Sequence, residues 1–211
     1  MLMFIMGAVA TLPLFVPPFL LPLFVSSVGL SKQTGAAILA CWNLASAVGR
    51  IGMGFGADAF LGPVNSMLLS LTVLGLTAIS LWPFASSLGL LIFFSILNGI
   101  SSGGFFSLMP VVVGAVFGDG ELAIIMSMLV SSWTLGYFLV SESHPAGLWL
   151  HFNGRQGAPI AGYLLEAYGG AEGGVEAYRP AFFYAGSLTI ASAGLLLGVR
   201  LIMNKKIMAR V

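Results

Sequence analysis

Only 7% of the 211 residues are charged, so the groups able to do chemistry can be weighed one by one. Arg50 comes first, because it interrupts the apolar stretch "CWNLASAVGRIGMGFGADAFLGP" at residues 41–63. It precedes the expected helix end at Ala57 by seven residues, which at ~1.5 Å per residue places it roughly 10 Å in from the membrane surface. A cation at that depth carries a functional reading, since its desolvation must be offset by a cavity, a partner or a ligand. Snorkelling, or pairing with Asp58, is the structural alternative. A second concentration of polar groups lies in "GYFLVSESHPAGLWLHFNGRQGAPIAG", residues 136–162, with Glu142, His144, His151, Asn153, Arg155 and Gln156. Its two histidines are flanked by Pro145 and Gly147 at a spacing that does not present a metal pair on one helical face, so a solvated loop is the expected context. No phosphate-cradling G-x-x-x-x-G-K-[ST], G-x-S-x-G or H-E-x-x-H occurs, and Cys41 is a single cysteine. The chain is expected not to be an enzyme, and no cofactor or metal is implied.

These residues must be held by elements suited to lipid. Hydrophobic residues make up 58% of the chain, and its charged share is far below the roughly one quarter of soluble domains. The lipid bilayer is therefore the expected partner, while a net charge of +1 excludes a basic footprint for nucleic acid. The N-terminus lacks the cationic region of a cleavable signal, so the first segment is expected to remain as a membrane helix. Apolar runs of about 20 residues predict six spans: Leu2–Val28, Gly35–Ala57, Val64–Pro83, Leu88–Val113, Leu122–Leu139 and Ala181–Met203. A fifth span interrupted by a gap would continue through "GAPIAGYLLEAYGG". Because the runs are continuously apolar rather than alternating, the fold class is all-α, one integral membrane domain over residues 1–211. Basic residues Arg200, Lys205, Lys206 and Arg210 place the tail in the cytoplasm, and an even number of spans returns the N-terminus to the same side. Prolines 13, 17, 18 and 22 predict a bend in the first span, at a cavity or a mere kink. Gly52 with Gly56, and Gly99 with Gly103, have the spacing of close helix contacts.

The order of several motifs adds a family resemblance. "NLASAVGRIGMGFGAD" resembles the eighth transmembrane helix of the monocarboxylate-transporter-like branch of the major facilitator superfamily, in the form found in fungi. "LNGISSGGFFSLMPVVVGAVFG" is similar to the tenth helix of that branch, "GAPIAGYLLEAYGG" to the end of the eleventh, and residues 178–202 to the twelfth. The resemblance covers essentially the whole chain except residues 140–156, and only the second of the family's two six-helix halves. It implies substrate held at the midplane between two halves that rock against each other. Arg50 then corresponds to the arginine of the eighth helix and would hold a carboxylate, but Ser46 stands where the proton-coupled carriers have an aspartate. Asn43, Asn98, Ser102, Trp133 and Tyr137 would line the same cavity, with interhelical hydrogen bonding or packing as the alternative for each. Gly54 and Asp58 match the family's cytoplasmic-gate pattern, although Ala59 replaces its basic residue and Gly62 comes one position late.

The resemblance implies a secondary transporter, or a fragment of one, moving a small organic anion or secondary metabolite by alternating access. A non-transporting or inactive truncated membrane protein is the alternative. A complete pathway needs the missing N-terminal half or a second copy, and the expectation is a fragment of a longer carrier. The plasma membrane is expected ahead of vacuolar or other internal membranes. In the family the eleventh helix runs on, so "LGYFL" should join directly to "GAPIAG", leaving Val140 to Gln156 as an anomalous polar insertion. Val-Ser can be encoded GTGAGT and Gln CAG, the preferred ends of a eukaryotic intron, and a retained intron translated in frame is the hypothesis this suggests. Sequencing of gene and transcripts should find GT and AG at those borders and spliced messages lacking the segment; transcripts that always keep it would sink the idea.

Overall fold

The computed structural model describes residues 2–118, 120, 122–141, 159–171 and 173–203, with side chains 132–141 and 159 excepted. Among the described residues the chain is helical, without strands, as the continuous apolar runs require. The helices are α1 (Leu2–Leu14), α2 (Val16–Ser27), α3 (Lys32–Gly56), α4 (Pro63–Ser80), α5 (Leu88–Phe117), α6 (Leu122–Ser141), α7 (Pro159–Ala167) and α8 (Gly174–Met203). A π-helical turn, Ala57–Leu61, extends α3, and a 3₁₀ turn, Trp82–Phe84, follows α4. Five stretches among the described residues are long and apolar enough to cross a membrane: Leu2–Ser27, Lys32–Leu61, Pro63–Phe84, Leu88–Phe117 and Gly174–Met203. The protein is an all-α membrane bundle.

Local chemistry explains where these elements differ from the expected spans. α3 starts at Lys32 because the Ser31 hydroxyl accepts a hydrogen bond from the Thr34 amide at 3.1 Å, capping the helix. Ser87 starts α5 in the same way, and α5 runs past Val113 until Gly118 takes a positive φ of 83°. α8 begins before Ala181, and its first turns carry the exposed Glu176–Arg179 pair at 3.3 Å. The first span is two helices rather than one: the chain leaves helical register at Phe15, between Pro13 and the Pro17–Pro18 pair. This break lets α1 pack on α8 and α6 while α2 packs on α3. Val140 and Ser141 still belong to α6, and the remainder of the anomalous segment lies outside the described residues.

Two apolar clusters fill the bundle. One is aromatic, with Trp82 stacked on Phe182 at 4.1 Å and on Phe94 at 4.8 Å, and Phe24 edge-on to Phe182 at 5.1 Å. The other is aliphatic and sulfur-rich, built from Met3, Met6, Met67, Leu71, Met109 and Leu196 among others. Arg200, counted with the basic tail in the sequence, instead lies within α8 and is buried, its Nε donating to the Asn65 side-chain oxygen at the start of α4.

The closest helix pairing is α3 with α5, and glycine makes it possible. A Cβ on Gly103 would fall 2.0 Å from the Ser46 carbonyl oxygen, one on Gly99 2.6 Å from that of Trp42, and one on Gly49 2.2 Å from that of Ile100. Gly52 and Gly56 do not share this role: among the described residues a Cβ on either meets nothing within 4 Å. Gly103→Ala should therefore force the backbones apart and lower stability by about 1–3 kcal/mol or more. Thermal unfolding in detergent should show this loss for Gly103→Ala and none for Gly52→Ala; equal stability of the two would remove the backbone contact.

Candidate functional site

The two faces of α3 have different jobs. Trp42, Ala45, Ser46 and Gly49 are buried, and the glycine contacts set this side against α5, whereas Asn43, Ala47 and Arg50 recur at helical spacing on the exposed side. α3 is the least buried of the five membrane-length stretches. Beside it lies a cavity of about 370 Å³, within the size range of small-molecule sites. α3 contributes Trp42, Asn43, Ser46, Ala47 and Arg50 to its wall; Leu14, Phe15, Pro18 and Phe19 come from the broken first span, and Phe106 from α5. The prolines thus place their break at a cavity, the first of the two alternatives left open by the sequence.

Arg50 is the charged residue of this wall. Among the described residues it meets no carboxylate, and the group against its guanidinium is the Phe106 ring, with the guanidinium carbon 5.4 Å from the centroid. Phe106 in turn meets Phe15 edge-on at 6.2 Å, so ring, cation and helix break form one contiguous surface. Asn43 donates from Nδ2 to the Leu39 carbonyl at 2.9 Å and still reaches the cavity. Ser46, one turn before Arg50, also faces it. Such a wall suits a small molecule with an apolar body and one anionic group: planar guanidinium donors pair with a carboxylate, and aromatic rings cover the rest.

The other expected site residues are distributed differently. Asn98 is fully buried and does not line the cavity; it joins three helices. Its Oδ1 accepts from the Trp42 indole at 3.0 Å, and its Nδ2 donates to the Thr77 hydroxyl at 3.0 Å and to the Leu74 carbonyl at 3.4 Å. Ser102, one turn further along α5, is fully buried with no hydrogen-bond partner for its hydroxyl among the described residues. Gly54 lies on α3 below Arg50, and Asp58 is exposed in the π-helical turn. Trp133 and Tyr137 fall on α6 where the backbone alone is described. Glu142, His144, His151, Asn153, Arg155 and Gln156 lie outside the described residues. Sequence reasoning missed Phe15, Phe19 and Phe106, whose aromatic side chains look like any others in a chain this apolar.

Membrane-length helices meet at a small cavity whose wall carries Arg50, the arrangement of an integral membrane helix bundle. No family model matches the chain. An MFS-type transporter of Aspergillus niger, pynF, is 32% identical over 154 residues, covering 73% of this chain and 31% of the relative. Monocarboxylate transporter 13 of Rattus norvegicus is 26% identical over 183 residues, covering 87% and 37%, and a fujikurins efflux protein of Gibberella fujikuroi is 27% identical over 199 residues, covering 94% and 38%. The chain belongs to the monocarboxylate-transporter-like branch of the major facilitator superfamily, and it spans 31–38% of the length of these relatives.

The Asn98 bridge has a measurable weight. Asn98→Leu leaves the buried Trp42 N–H without its acceptor, at a cost of about 1–3 kcal/mol. Removing both polar partners is milder, so Trp42→Phe should cost clearly less in the Asn98→Leu background than alone. Unfolding measurements on the four proteins of this cycle check it, and simple additivity would argue against the bridge.

Proposed function

We propose that the chain is the cation-bearing part of a secondary transporter, moving a small organic anion across a membrane by alternating access, with Arg50 as the group that holds the anion. The observation carrying this reading is Arg50 itself, an in-span guanidinium on the wall of a 370 Å³ cavity, held against an aromatic ring and meeting no carboxylate among the described residues. The names of the relatives support a carboxylate or metabolite cargo, since they include a monocarboxylate transporter and an efflux protein for fujikurins. Asn43 supplies a second polar group to the cargo, and Phe15, Phe19 and Phe106 cover its apolar body. Gly54 and Asp58 serve the cytoplasmic gate.

One wall does not make a pathway. The exposed stripe of α3 that carries Asn43 and Arg50 needs cover from protein, because lipid does not solvate a guanidinium. That cover is an N-terminal half of the same family or a second copy of this chain. The protein sits in the plasma membrane with both termini in the cytoplasm, the side favoured by the basic tail.

A charge-assisted bond is worth about 1.5–3 kcal/mol, which sets the size of the effect at roughly 10- to 100-fold in apparent affinity. Arg50→Ala should weaken acetate binding by that factor in detergent-solubilised protein, with folding unchanged, and Arg50→Lys should restore part of it. In vesicles the same variant should abolish anion flux wherever the wild-type assembly supports it. Acetate binding that is indifferent to Arg50 would overturn the anion-site reading.

A further inference from the structure

Arg50 has two places to put its charge. Its four-bond side chain can run along α3 toward the membrane surface, where water solvates the guanidinium, or it can stay at the depth of the cavity. The structure takes the second course, and Phe106 is the residue that touches the guanidinium. Its placement follows from the backbone. Gly103, three residues before Phe106 on the same face of α5, brings that helix so close that a Cβ there would lie 3.0 Å from the Arg50 amide nitrogen. The ring one turn later is thereby carried to the Arg50 side chain, and Phe15 at the break of the first span backs it at 6.2 Å.

We propose that Phe106 is a positioning residue for Arg50: its ring takes one face of the guanidinium and holds it at the cavity, leaving the N–H edge for an anion. A ring face attracts the cation without consuming its hydrogen-bond donors, which a carboxylate in the same place would do. Phe106 therefore sets how much of the Arg50 population is at the site, and Phe15 links that setting to the bend between α1 and α2. The inference rests on the reading of Arg50 as anion holder for its consequence, but the position of Arg50 can be measured separately.

The test uses the full chain, labelled with ¹⁵N in detergent micelles, and follows the Arg50 Nε–H resonance, assigned by its loss in Arg50→Lys. Phe106→Leu should move that resonance downfield as ring-current shielding disappears, and should weaken acetate binding about two- to fivefold. Phe106→Tyr, which keeps the ring, should keep both values. Phe106→Met, flexible enough to fill the same space, should behave as the leucine variant and serves if that one folds poorly. A resonance and affinity unchanged in the leucine and methionine variants would overturn the proposal. A resonance that moves while acetate binds neither wild type nor variant supports the positioning and overturns the anion reading instead.

Discussion

The cavity wall of this bundle depends on how closely the backbones of α3 and α5 approach. At Gly49, Gly99 and Gly103 the space normally filled by a Cβ is taken by the main chain of the facing helix. Lipid offers no hydrophobic drive for helix association, so close packing and internal hydrogen bonds supply it. The same contact turns the Asn43 and Arg50 side of α3 outward and brings Phe106 over Arg50. A bulkier interface would separate the two helices and dissolve the cavity wall with them.

Polar groups in the interior are handled by two routes. Most serines and threonines return their hydroxyl to the carbonyl one turn back, as Thr11, Ser70, Ser95 and Thr189 do. Asn98 instead links α3, α4 and α5 through Trp42, Thr77 and Leu74. It ties three helices together at one level, while Arg50 stands on the cavity wall. Arg200 follows the packing route, tying the end of α8 to the beginning of α4 through Asn65.

The membrane bundle, the approximate spans and the place of Arg50 on a membrane helix were legible in the sequence because hydrophobic runs and isolated charges are one-dimensional signals. Gly103 was legible for the same reason, as a spacing on one helix. What lay beyond reach depended on rotation and partner. Gly52 and Gly56 have the same spacing as Gly99 and Gly103, yet among the described residues no neighbour approaches them within 4 Å of an added Cβ, because a spacing on one helix does not say where along its length a second helix comes close. Asn43 and Asn98 are chemically identical, and tertiary contacts alone send one to the cavity and the other to a buried bridge. Phe106 carried no compositional mark, and Arg200 was counted with the basic tail although it falls inside the predicted Ala181–Met203 span, because its burial beside Asn65 depends on a tertiary partner.

The split first span also bears on biogenesis. α1 has 13 residues and α2 has 12, so at ~1.5 Å per residue each is roughly 20 Å long, short of the ~30 Å hydrocarbon core. Neither piece is a stop-transfer segment by itself. The crossing belongs to the pair, and its final shape depends on α3 and α8, which leave the ribosome later and offer the surfaces on which α2 and α1 come to rest. The nascent segment must therefore enter the bilayer before the partners that justify its bend exist, making insertion and folding of this helix two separate events in time.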